Sequence, residues 1–239
     1  MRRRFFVERF DGNRAVIAGE TAHHLGRVLR AEAGQLYELS DGARVCLGRI
    51  ERVARDRVEF ALVEEIPADE PTADITLLLS IVKFDAFEWA LEKATELGVR
   101  RIVPLAAARS EKALVAAAAK RTSRWGKILM EASQQSRRLR PPNLESMAKS
   151  ELAFSATTAG TKLLLSERRE APSLRHALEN VTVDAQVSLA IGPEGGWTEQ
   201  EFSAAKSAGF REASFGKMIL RTETAVIAAL ASLNFALTG

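Results

Sequence analysis

A change of hydrophobic rhythm at one short break constrains this chain more than any other feature. Before the segment IPADEPTAD, residues 66–74, apolar side chains alternate in short runs: RFFVERF, RAVIAG, QLYELSD, RVCLGRIERV and DRVEFALVEE. That period of two predicts half-buried strands, with Asp41-Gly42 as a hairpin turn, and a small β-barrel as their sum. One helix is predicted to interrupt the strands over residues 21–31, with Thr21 as its N-cap and Gly34 just past its end. The break itself holds two prolines and three acids, the composition of a linker. Domains are therefore expected at 1–70 and 71–239.

After the break, apolar strands alternate with longer helical segments, the pattern of a mostly parallel sheet covered by helices. ITLLLSIV reads as a buried strand. The helix that follows has Asp85 and Glu88 in capping-box spacing, Phe87, Ala90, Leu91 and Ala94 on one face, and Gly98 as its stop. RIVPL begins another strand. Trp125, Ile128, Leu129 and Ala132 then repeat at helical spacing in a helix that ends before Pro141-Pro142. KLLLS, VSLAIG and EASFG complete the predicted strands. Thr198 and Glu201 form a second capping box, and the last helix spans about residues 222–237.

Composition enters as a set of exclusions. Of 239 residues, 46% are hydrophobic, enough to bury a full core, yet no apolar run reaches the roughly 20 residues of a membrane span. Glu8, Arg9 and Asp11 break the stretch behind the basic start, which argues against a signal peptide. The lone Cys46 excludes an internal disulfide and suits a reducing cytoplasm. His23 and His24 are adjacent, so on a helix they diverge by about 100° and do not share a metal; no metal is expected. Net charge is only +3, but residues 120–140 carry seven Lys or Arg against the single acid Glu131. Such a cluster signals a polyanion, or else a solvated helix face.

Two glycine-containing turns follow strands in the last third. The first is AIGPEGGW, residues 190–197, and the second is FGKMILRTETA, residues 215–225. Neither a Gly-x-Gly-x-x-Gly nor a Gly-Lys-Ser/Thr signature is present, so the two common phosphate cradles lose their support. A rigid turn with small side chains and apolar neighbours still lets backbone N–H groups approach a nucleotide-type ligand closely.

Read together, IGPEGGW followed some twenty residues later by ILRTETA closely resembles the RsmE family of ribosomal RNA uridine N3-methyltransferases, of the SPOUT class. HHLGRVLRAEAGQ, residues 23–35, and KFDAFEWALEKATELGVRRIVPL, residues 83–105, are similar to further segments of that family in the same order. The resemblance covers nearly the whole chain. It implies an α/β protein: an N-terminal PUA-like β-barrel that binds RNA, and a C-terminal SPOUT methyltransferase domain with a trefoil knot. It also implies S-adenosyl-L-methionine as cofactor, a homodimer, and methylation of uridine N3 in small-subunit (16S) ribosomal RNA, free or as an assembled subunit. The expected setting is the cytoplasm, away from membranes. Mapped onto this chain, the cofactor-binding residues are Leu165, Ser166 and Glu167; Ile191, Gly192, Pro193, Gly195 and Gly196; and Phe215, Gly216, Met218, Ile219 and Leu220, with Thr222 and Thr224. Two other readings stand beside it: the same fold acting on another RNA, and a non-catalytic RNA-binding protein.

Uridine N3 holds its proton between two carbonyls and is a poor nucleophile until that proton leaves. Orienting the reactants can lower such a barrier by roughly 7 to 11 kcal/mol, and a cation near O2 or O4 adds electrostatic stabilisation. Arg221 is the first candidate for that cation, with a helix-terminal ion pair as its structural alternative. Glu194 and Glu223 are candidates for the base or for holding ribose hydroxyls and the methionine amine. Glu223 has an equally good reading as a first-turn carboxylate stabilised by its helix. For RNA phosphates the candidates are Arg2, Arg3, Arg4, His24, Arg27 and Arg30 in the first domain. Lys83, Arg137, Arg138 and Arg140 join them from the rest of the chain. Here the chain departs from the family: relatives commonly have E-Q-S-G-R where residues 134–138 are QQSRR, losing a carboxylate and a glycine. Where they have G-P-R-I-L-R, residues 216–221 are GKMILR.

Overall fold

A computed structural model describes residues 3–68, 73–179, 181–182 and 185–237. The chain divides into two compact units, one of residues 1–70 with 133–141, the other of residues 71–132 with 142–239.

The first unit is a six-stranded mixed sheet. Its strands are β1 (Arg4–Phe6), β2 (Phe10–Asp11), β3 (Arg14–Ala18), β4 (Leu36–Ser40), β5 (Val45–Val53) and β6 (Arg57–Ile66), in the order β1-β4-β5-β6-β3-β2. β1 pairs parallel with β4 and every other ladder is antiparallel. The alternation visible in sequence puts Phe5, Ile17, Leu39, Ile50, Val58 and Phe60 into one core. Asp41 closes the β4–β5 hairpin by accepting the N–H groups of Ala43 and Arg44 at 2.9 and 3.0 Å.

The helix expected over residues 21–31 is shorter and begins earlier. It comprises α1 (Gly19–His23) and a π-helical turn over His24–Val28. Its N-cap is Ala18, with no side-chain cap, so Thr21 does not start it. The wider turn lets Leu25 and Ala22 enter the core while His24, Arg27 and Val28 face solvent.

The second unit is a parallel sheet with helices on both faces. Its strands are β7 (Asp74–Ser80), β8 (Arg101–Ala106), β9 (Asn143–Leu144), β10 (Ala148–Lys149), β11 (Thr161–Leu165), β12 (Gln186–Ile191) and β13 (Arg211–Ala213). They run β10-β8-β7-β12-β11-β13, with β9 on β8, and all pairs are parallel. The helices are α2 (Phe84–Glu96), α3 (Lys112–Ala118), α4 (Thr122–Gln135), α5 (Ser150–Ala156), α6 (Leu174–Leu178), α7 (Glu199–Ser207) and α8 (Thr222–Leu237). Successive strand residues point to opposite faces, so Ile75, Leu77 and Leu79 join a core with α2 and α8, while Leu78 joins one containing Phe154 and Phe202.

Of the two predicted capping boxes, one forms. Thr198 accepts the N–H of Glu201, and the Glu201 carboxylate accepts the N–H of Thr198. At α2 the N-cap is Lys83 without a side-chain cap, and Glu88 turns instead to Arg124 at 2.7 Å and Arg121 at 3.4 Å. The pull of two guanidiniums outweighs a single backbone N–H for a carboxylate that is otherwise buried.

Candidate active site

In an open parallel sheet the crevice at the carboxyl ends of the strands is a natural ligand site, most of all where the chain changes direction across the sheet. Here β8 to β10 lie on one side of β7 and β11 to β13 on the other. A cleft opens at the carboxyl ends of β11, β12 and β13. It is lined by residues 165–167, 191–197, 213–216 and 218–220, with Thr222 and Ala225.

Backbone and buried side chains hold these loops. The Trp197 indole N–H donates to the Leu165 carbonyl at 2.9 Å, tying the loop after β12 to the end of β11. The Thr222 hydroxyl donates to the Gly192 carbonyl at 3.1 Å, tying the same loop to the start of α8. Ser166 N–H reaches the Ala213 carbonyl at 2.9 Å, and Gly196 N–H closes the turn on the Pro193 carbonyl at 2.8 Å. A Cβ on Gly192 would lie 3.1 Å from the Trp197 ring. Gly196 has φ +68°, the left-handed region that disfavours other residues, and a Cβ there would meet the Glu167 carboxylate. The bareness of this loop is thus required by its own packing.

The loop after β8 reaches the same place. Ala108 N–H donates to the Glu201 carboxylate at 3.0 Å, the Ser110 hydroxyl donates to the Ile81 carbonyl at 2.7 Å, and Arg109 Nη1 donates to the Gly195 carbonyl at 2.8 Å. Burial of Glu201 opposes its ionisation. The N–H groups of Thr198 and Ala108 and the Thr198 hydroxyl outweigh that effect and hold the carboxyl below its usual range. On the other side, Arg168 stacks 3.5 Å over the Phe202 ring and pairs with Glu199 and Glu212.

All the residues expected around the cofactor line this cleft except Thr224, which is exposed on α8. Glu194 lines it and is exposed at its mouth; Arg221, also exposed, and the half-buried Glu223 lie outside the lining. Trp197, Ser214 and Arg109 were missed. Trp197 stood within the quoted motif, whereas no local pattern ties Arg109 to a loop 86 residues away.

The lining contains no Lys, Arg or His among the described residues, and its charged members are the carboxylates of Glu167 and Glu194. Such a cleft repels a phosphate-bearing ligand. It suits one that combines an apolar ring with positive charge, as S-adenosyl-L-methionine does with its adenine, sulfonium and amine.

The basic candidates separate by burial. Arg4 is buried, donates to Glu38 at 3.0 Å through Nη2, and also donates to the Arg137 carbonyl. Arg137 has φ +56° and a guanidinium 3.6 Å from Glu38, and Arg138 is 8% exposed. These three are built into the first unit. Arg3, His24, Arg27, Arg30, Lys83 and Arg140 are exposed, and Arg2 lies outside the described residues.

A parallel sheet with a ligand-sized cleft at the carboxyl ends of its strands defines an α/β ligand-binding fold. The sequence profile of an RNA methyltransferase domain matches residues 68–234. Ribosomal RNA small subunit methyltransferase E of Synechocystis sp. is 34% identical over 218 residues, 89% of this chain and 70% of that protein. The enzyme of that name from Aquifex aeolicus is 29% identical over 238 residues, covering 97% and 99%. The crystal structure of the Neisseria gonorrhoeae enzyme, bound to S-adenosyl methionine, superposes with a TM-score of 0.88 at 31% identity over 98% of both chains. The chain belongs to the family of ribosomal RNA small subunit methyltransferases E.

Proposed function

We propose that this protein transfers the methyl group of S-adenosyl-L-methionine to N3 of a uridine in small-subunit (16S) ribosomal RNA, acting as a homodimer with a trefoil-knotted catalytic unit. The observation that carries the reading is the cleft at the ends of β11, β12 and β13, whose lining holds carboxylates but no cation among the described residues. Family membership supports the RNA substrate.

When bound, the cofactor supplies a methyl group on a positively charged sulfur. The residues that would hold it are those of the three loops, with Leu165, Ile191 and Phe215 as apolar walls and Glu167 as a polar group for a hydroxyl or an amine. Glu194, exposed at the mouth, would take the N3 proton. Loss of that proton leaves negative charge on uracil O2 and O4, which Arg221, exposed ahead of α8, would stabilise. Glu223 is half-buried in the first turn of α8, so a helix-stabilising role accounts for it.

The exposed side chains of His24, Arg27 and Arg30 on and after the π-helical turn would take RNA phosphates in the first unit. Dimerisation is favoured by α8, which is apolar around its whole circumference yet leaves Phe235 87% exposed. An apolar groove beside it is lined by Leu174, Leu178, Phe215 and Phe235. A second copy would remove these surfaces from water.

The deciding experiment uses small ribosomal subunits lacking the modification, the purified protein, and cofactor labelled in its methyl group. Nucleoside mass spectrometry is expected to show labelled N3-methyluridine. A different labelled nucleoside would refute the base assignment, and no label despite cofactor binding would refute the substrate.

A further inference from the structure

The cleft leaves one requirement unmet by its own lining. Its charged members are carboxylates, and a polyanionic RNA strand approaching Glu167 and Glu194 is repelled unless a cation stands at the rim. Arg109 stands there. Its guanidinium donates one N–H to the Gly195 carbonyl at 2.8 Å, next in sequence to Glu194, and its side chain is exposed. A guanidinium carries five N–H donors, so four remain beyond that bond.

The arginine is held before any substrate arrives. Its neighbour Ala108 is fixed by the buried Glu201 carboxylate, and its neighbour Ser110 is fixed by the Ile81 carbonyl and by an N–H bond to the Ala107 carbonyl at 3.0 Å. Gly195 packs against its stem: a Cβ there would lie 3.2 Å from Arg109 Cβ. Little side-chain entropy is left to lose on binding, which is the condition for a strong charge-assisted contact. A structural ion pair does not explain it, because it has no carboxylate partner among the described residues.

We infer that Arg109 is a substrate-positioning residue, anchored on the Gly195 carbonyl and using its remaining N–H groups to bind an RNA phosphate beside the target nucleotide at the rim of the cleft. This rests on the proposed methyl-transfer reading of the same site.

The test compares Arg109→Ala and Arg109→Lys with the unaltered enzyme in three measurements. These are cofactor affinity by calorimetry, KM and kcat on unmethylated small subunits, and affinity for unmethylated small-subunit ribosomal RNA across a KCl series. The Ala variant is expected to raise KM at least about tenfold and to reduce the slope of log affinity against log salt by about one. Its cofactor dissociation constant should stay within about twofold, since the Gly195 turn retains its other bonds. The Lys variant keeps the charge and is expected to keep the slope, with KM between the other two. An unchanged slope in the Ala variant overturns the inference, and so does a loss of cofactor affinity that accounts for the loss of activity. If the unaltered enzyme methylates no RNA, the functional reading fails first, and that result is read separately.

Discussion

Single residues in this chain do work that their positions in sequence only half announce. Glu201 is visible as the last residue of a capping box, but it is also the anchor for Ala108 across 93 positions of sequence. Its carboxyl is held below the usual range, so it binds fewer protons folded than unfolded near its folded pKa. Its contribution to stability is therefore complete above the ordinary carboxylate value and is lost as pH falls through the lower folded value. Urea unfolding from pH 7 down to pH 2 should show that loss beginning below about pH 4.5. In Glu201→Gln the acid limb should flatten, and stability at pH 7 should drop by about 1.5 to 3 kcal/mol, the worth of a hydrogen bond to a charged group. An acid limb as steep as before would assign the titration elsewhere. Arg137 shows the opposite case. Its φ of +56° lies in the left-handed region that favours glycine, yet an arginine stands there. The guanidinium on Glu38 and the carbonyl that accepts from Arg4 help to offset the conformational cost of a side chain there.

At the scale of elements, the hydrophobic periods predicted the longer strands and helices because each buries one face and repeats accordingly, while the two-residue strands β9 and β10 and the short helices α3, α5 and α6 went unread. Among the elements that were read, the differences fell at ends, where competing partners decide. Residues 24–28 chose a π-helical turn, and Glu88 chose two arginines over a cap. The loop after β12 is the element on which the site depends, and its glycines are needed for internal geometry. Gly196→Ala forces a left-handed φ on a residue with a Cβ, at about 1 to 2 kcal/mol. The Glu167 carboxylate, the flexible end of its side chain, must also move aside. Lower unfolding free energy in urea and weaker cofactor binding by calorimetry are both expected. Full affinity with reduced stability would separate the turn from the ligand.

At the scale of the whole molecule, α8 exposes Phe235 more fully than any other large apolar side chain among the described residues. Phe235→Glu places a charge on the apolar groove, and if the proposed dimer forms through this face, light scattering is expected to report a smaller species for the variant than for the unaltered chain at the same concentration. A dimer that survives the change would remove this face from the interface. Sequence by itself determined the two rhythms, the parallel sheet, the glycine turns and, through its motifs, the family, because these are written in local spacing and in residues close along the chain. Tertiary structure alone decided that residues 133–141 belong with the first unit, that Arg4 and Arg138 are buried, and that Arg109 meets Gly195. Those facts depend on which carbonyl or carboxylate a long cationic side chain reaches once distant strands are paired, and no period along the chain encodes that choice.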